Sequence, residues 1–176
     1  KILDLEKFET GKQKLYLSKN NILKTISNTL TPLQQLIKNK NITVVFDPNS
    51  DEIKAFYDEE RIIQVIQNLI ANAIKFCSSS SGKIAITVTE EQQNVVVKIY
   101  NNGKEIKAED RESIFDKFYQ SRDQNVKKPI GSGLGLAICK QIIELHKGKI
   151  WTEKTTAGAT FIFTLPNYNT KENSPL

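Results

Sequence analysis

The chain has no methionine, one histidine, one tryptophan and only two cysteines in 176 residues. So little histidine and cysteine argues against a structural zinc site, which draws on four such ligands. Cys77 and Cys139 each fall in an apolar helical pattern, and they read as small core residues in a reducing compartment rather than as a disulfide. No apolar run reaches the roughly 20 residues that a helix needs to cross a bilayer, and none resembles a secretory signal peptide. Charge of one sign is also scarce: 25 Lys and Arg against 20 Asp and Glu leave +5, spread along the sequence. A nucleic-acid surface wants a basic stripe with interleaved aromatics, so nucleic acid is not an expected partner. With Lys at the first position and no methionine anywhere, the chain is expected to be a piece of something longer.

What is present is hydrophobic periodicity sufficient for one core, with 39% hydrophobic residues. Residues 1–10 carry Ile2, Leu3, Leu5 and Phe8 and read as the last turns of a helix ended by Gly11. Leu15 and Leu17 suggest a short strand. From Asn20 to about Lys38 the spacing of Ile22, Ile26, Leu30, Leu33 and Ile37 predicts a helix that Pro32 should kink or split. Strands are expected at Asn41–Phe46 and Ile53–Tyr57. Asp58 should cap a helix running to about Cys77, with Ile62, Ile66, Leu69 and Ala73 inward and Ile63, Ile70 and Ile74 widening the stripe. Alternation at Ile84–Val88 and Val95–Ile99 predicts a hairpin joined through Glu90–Asn94. Beyond it come a short helix near Ala108–Phe115, a helix at 134–146, and strands at Lys149–Glu153 and around Phe161–Leu165. A disordered tail from Asn167 is expected. Helices followed by hairpins, with few crossovers, favour an α+β two-layer sandwich: a mixed or antiparallel sheet covered by helices on one face.

Three stretches carry chemistry. Gly131-Ser-Gly-Leu-Gly-Leu136 opens a helix, so it offers close backbone approach and unpaired N–H groups to a bulky anion. It lacks the spacing of a dinucleotide fingerprint and of Walker A, and a mobile loop ending in a helix cap fits the glycines as well. Asn68, Asn72 and Lys75 lie within about 60° of one another on their helix, at the rim of the buried face. Two amide oxygens suit Mg²⁺ and an ammonium suits phosphate, but three solvated surface residues would share the same spacing. At the end of a strand, Asn101-Asn-Gly103 could read a base edge or be a plain turn.

Taken together and in this order, these stretches resemble the motifs of the catalytic ATP-binding domain of sensor histidine kinases, in the family sharing the Bergerat fold with gyrase, Hsp90 and MutL. Asn68-Leu-Ile-Ala-Asn72-Ala-Ile-Lys75-Phe76 resembles the N box, Asn101-Asn-Gly103 the first glycine box, Ile114-Phe-Asp-Lys-Phe118-Tyr119-Gln the F box, and Gly131–Leu136 the second glycine box. The resemblance covers roughly residues 1–166. It implies a dimerisation-helix end and hinge at 1–12, a catalytic domain at 13–166 and a tail at 167–176. It further implies ATP and Mg²⁺, with Asn72 on the metal, Asn68 supporting it and Lys75 on phosphate. Phe76 and Ile106 would line the base pocket, with Asn101 and Gly103 at the base. Gly131, Gly133, Leu134, Gly135 and Leu136 would wrap the phosphates, and 119–133 would form a mobile lid. Phe115 and Phe118 would be core anchors for that lid in preference to ligand contacts.

Implied partners are the protein's own dimerisation domain, which would carry the acceptor histidine, and a response-regulator receiver domain. The implied parent is a cytoplasmic homodimer, with membrane anchorage left open. Two residues depart from the family pattern: Asn101 stands where Asp is usual and Glu105 where a second Gly is usual. They leave a non-catalytic interaction module of the same fold as the alternative. Asn68, where hydrolytic relatives carry Glu, cannot activate water, so a kinase is favoured over a plain ATPase. His146, at a helix end where a cation suits the dipole, reads as structural.

Overall fold

The computed structural model describes residues 14–119, 133–155 and 157–167. The expected helix end at residues 1–12 and nearly all of the tail therefore lie outside the described residues. Asp58 begins the longest helix, α3 (Glu59–Phe76), by the expected route: its carboxylate accepts the Arg61 N–H at 3.2 Å. Such a cap satisfies one of the donors that every helix start leaves open. The helix buries Ile62, Val65, Ile66, Leu69, Ile70, Ala73 and Ile74. Val65 takes the inward place expected of Ile63, which stays half-exposed. Ile66 is fully buried, and cutting it to Ala would cost about 2–5 kcal/mol.

Pro32 splits the preceding helix as its missing N–H and fixed ring require. Helix α1 (Ile22–Leu30) gives way to a 3₁₀ turn at Thr31–Leu33, and α2 (Gln34–Asn39) resumes. Asn21 caps α1 by accepting the Leu23 N–H at 3.1 Å. Ile22, Ile26 and Ile37 are buried, with Leu30 and Leu33 packed at the margin.

Two sheets form. Strand β1 (Ser18–Asn21) pairs antiparallel with β3 (Lys54–Tyr57). The strand expected at Leu15 and Leu17 is thus displaced, because backbone pairing and the Asn20 Nδ2 bond to the Tyr57 carbonyl at 2.9 Å place it. The main sheet runs β2 (Ile42–Val45), β4 (Gly82–Glu91), β5 (Asn94–Asn101), β7 (Ala159–Pro166), β6 (Ile150–Glu153). Only β2 and β4 are parallel, so the sheet is mixed. The hairpin link is shorter than expected, with only Gln92 and Gln93 between the strands and Gln92 left-handed at φ 54°.

Period-two alternation sends Ile84, Ile86, Val95, Val97, Ile99, Phe161, Phe163 and Leu165 into one core with the helices. This is the expected sandwich, helices on one face. The helix expected near Ala108–Phe115 is instead two 3₁₀ turns, Ala108–Asp110 and Ser113–Phe115. Helix α4 (Gly135–Leu145) closes the helical layer. Among the described residues no helix is long and apolar enough to cross a membrane.

Candidate functional site

Helices α3 and α4 run antiparallel, and three contacts along them fix the site. At one end the Asp58 N–H donates to His146 Nε2 at 3.0 Å. Midway, Cys139 Sγ meets the Val65 carbonyl at 3.8 Å. At the other end Gly135 faces Asn68, and a Cβ on Gly135 would lie 3.6 Å from Asn68 Oδ1. Asn68 also hydrogen-bonds the Cys139 thiol, whose burial pushes it up to about 12 against that bond's smaller opposing effect. Cys139 is therefore an inert core thiol, as its apolar pattern suggested.

Asn68 and Asn72 are both half-buried, one helical turn apart on the same face, and Lys75 is exposed less than a turn beyond. Burial lowers the Lys75 pKa below its ordinary value, and its Nζ sits 4.5 Å over the Phe76 ring. Opposite them, α4 starts after Leu134 with no side-chain cap. Its first bond is Ile138 N–H to the Leu134 carbonyl at 3.0 Å, so the amides of Gly135, Leu136 and Ala137 have no intrahelical acceptor. Leu134 is buried and Leu136 packs at the core margin, which leaves their main chain to meet a ligand. Amides with no acceptor among the described residues, and the positive end of the helix dipole, thus stand beside the Asn68 amide.

β5 ends beside the last turn of α3, where Gly103 meets Phe76. Asn101 pairs in register with Ile84 on one side and Ala159 on the other, on the core face. It is 1% exposed, and its Nδ2 has no hydrogen-bond partner among the described residues. A buried donor left unpaired costs about 1–3 kcal/mol, a cost that a ligand acceptor reaching this point would relieve.

Its neighbour Asn102 does unrelated work. The Asn102 side chain accepts the Lys83 N–H at 2.8 Å and the Ser78 N–H at 3.4 Å, and donates to the Ser81 carbonyl at 2.6 Å. Gly103 is jammed against α3: a Cβ there would come 1.5 Å from the Phe76 carbonyl oxygen. Phe76 is half-exposed and Ile106 packs at the core margin. Glu105 lies 3.9 Å from Arg111, so its charge is partly answered within the chain.

Phe115 is a core anchor, edge-on to Phe161 with centroids 6.4 Å apart. Phe118 is not: it is 67% exposed and left-handed at φ 61°, which corrects the expectation that both phenylalanines anchor in the core. Its N–H bonds the Gly133 carbonyl at 3.1 Å, and Gly133 is left-handed too, at φ 69°. Gly131 and most of the stretch expected as a lid lie outside the described residues.

His146 is structural but not a cation. Since Nε2 accepts from Asp58, Nδ1 carries the proton and donates to the Ile142 carbonyl at 2.7 Å. Burial lowers its pKa, with that bond and the Asp58 charge opposing.

Among the described residues no group of three His, Cys, Asp or Glu side chains could hold a metal. A hard cation here would rest on the Asn72 amide oxygen, with Asn68 beside it, together with a ligand's own oxygens, a donor set that fits Mg²⁺. A separate hollow on the outer face of the sheet, between Glu91, Lys98, Trp151 and Glu153, holds none of these residues.

Residues 57–169 match the family of histidine kinase-, DNA gyrase B- and HSP90-like ATPases. The adaptive-response sensory kinase SasA of Synechocystis sp. (strain PCC 6803) is 38% identical over 136 residues, 77% of this chain and 35% of that protein. The nucleotide-free catalytic domain of histidine kinase ThkA superposes with a TM-score of 0.76 at 36% identity, covering 86% of this chain and 95% of that one. ThkA in complex with the response regulator TrrA gives a TM-score of 0.77 at 30% identity, over 97% of this chain and 48% of that one. The chain spans 12% to 42% of the length of the first curated relatives it matches. With its uncapped helix start set beside the Asn68 amide, the chain belongs to this ATPase family, in its histidine kinase catalytic-domain branch.

Proposed function

We propose that this chain binds ATP with Mg²⁺ and passes the γ-phosphoryl group to a histidine on the dimerisation domain of its own protein. From there the group moves to an aspartate of a response-regulator receiver domain. The observation that carries this reading is the meeting of the α4 N-terminus with Asn68 on α3. The first-turn amides of α4, with Gly133 and Gly131 before them, hold the polyphosphate. Lys75 adds a point charge to it. Asn72, supported by Asn68, holds Mg²⁺, which when bound neutralises phosphate charge. Asn101 meets the base edge, with Gly103 fixing the strand end and Phe76 and Ile106 flanking the base.

Asn68 is a carboxamide and cannot take a proton from water, so the site positions ATP without directing it to hydrolysis. Catalysis is then alignment and charge neutralisation, as in phosphoryl transfer generally. The acceptor is not His146, the chain's only histidine, because both of its ring nitrogens are engaged inside the fold. A homodimeric, cytoplasmic parent follows from the same reading.

The test joins the chain to its parent's dimerisation segment and follows alkali-stable protein phosphorylation from γ-labelled ATP. Asn72→Ala and Lys75→Ala should each lower transfer by at least about 100-fold, with an unchanged denaturation midpoint. An active double variant would refute the site. Phosphate release without labelled protein would point to an ATPase, and no saturable binding at millimolar nucleotide to an interaction module.

A further inference from the structure

We propose that Asn101 makes the base subsite accept either purine, so that 6-amino and 6-oxo purine nucleotides bind within about tenfold of each other. This rests on the nucleotide reading given above and concerns which base that site selects. Asn101 is the polar end of an otherwise apolar strand face, continuing Val95, Val97 and Ile99. Ile84 and Ala159 flank it and offer it no side-chain partner. The asparagine beside it cannot help, since its amide is committed to the Ser78–Lys83 turn.

What Asn101 holds ready is a carboxamide with an acceptor on one arm and a donor on the other. Its donor arm is the buried Nδ2 that no described residue satisfies. A carboxylate at this point could only accept: it would welcome a 6-amino group and repel a 6-oxo group. The carboxamide reverses its polarity by half a turn about its last side-chain bond, a soft and roughly two-fold torsion. Oxygen forward, it accepts from the 6-amino group of adenine and its Nδ2 can donate to N1. Nitrogen forward, it donates to the 6-oxo group of guanine and its oxygen can accept from N1–H. Either purine edge completes the orphaned donor.

The test is titration of the chain, in Mg²⁺, with nonhydrolysable analogues of ATP and of GTP by calorimetry, alongside Asn101→Asp. The two dissociation constants should lie within tenfold for the natural chain. They should separate by at least a further tenfold in favour of the adenine analogue in the variant. A natural chain that prefers the adenine analogue by more than tenfold overturns this inference and leaves the kinase reading standing. So does an Asn101→Asp protein that melts normally and keeps the natural ratio. Should the aspartate variant not fold, the natural ratio alone decides. A natural chain that binds neither analogue overturns the kinase reading and this inference together.

Discussion

The two ends of the α3–α4 pair are built by opposite rules. At one end the start of α3 and the finish of α4 satisfy each other. Asp58 caps α3 and takes the Tyr16 N–H at 3.0 Å, and its own N–H goes to His146. Nearby, Thr25 bonds the Tyr57 hydroxyl at 2.8 Å and Glu59 at 3.1 Å, and burial raises Tyr57 to about 12. At the other end, α4 starts uncapped beside Asn68, and the Asn101 Nδ2 has no partner among the described residues. One end spends its polar groups on the fold; the other leaves several that the proposed function assigns to a nucleotide. Stability and binding should therefore respond to different substitutions.

Among substitutions at the two ends Gly103→Ala should have the largest effect, and it would blur that division, because its Cβ would strike the Phe76 carbonyl at the proposed nucleotide end. A loss of about 3 kcal/mol in urea unfolding is expected. His146→Leu comes next. It leaves the buried Asp58 N–H unpaired and should cost about 2 kcal/mol, with nucleotide affinity unchanged. A large affinity change would mean that the two ends are coupled along α4.

The same histidine sets a pH dependence. Its folded pKa is lowered from 6.5, so the folded protein refuses a proton that the unfolded chain accepts. Its contribution to stability is complete above about pH 6.5 and falls as pH drops below that, toward the lower folded value. The natural protein should lose stability over this range relative to His146→Leu, read as the difference between their unfolding midpoints. Asp58→Ala removes a cap and the Tyr16 tether, for about 1–2 kcal/mol. Glu105→Gly should be smallest, below about 0.5 kcal/mol, since its pair with Arg111 is half-exposed. Nucleotide affinity in that variant should change no more than a few-fold.

Local rules were legible where a single residue type decides the outcome. Asp58 before an apolar stripe, Pro32 within one, and the alternation of β4 and β5 each gave their element. Asn68, Asn72 and Lys75 were visible as one helix rim, and the glycines before α4 as an anion loop. Long-range partnerships were not. His146 bonds a residue 88 positions away, and the sequence marks only a polar residue at a helix end. β1 was misplaced because its pairing rests on backbone bonds and asparagine side chains rather than on apolar alternation. A short helix is expected near Ala108–Phe115, and the chain makes two 3₁₀ turns instead.

Asn101 and Asn102 are consecutive and chemically identical, yet one fastens the chain to itself while the other is left in want of company. Loss of the Asn102 amide would let the Ser78–Lys83 bend drift and carry the end of β5 with it, so an alanine scan scored by nucleotide capture alone would implicate both residues. Thermal melting of the ligand-free protein tells them apart: Asn102→Ala lowers the transition, and Asn101→Ala, which removes a donor that no described residue satisfies, leaves it in place or raises it.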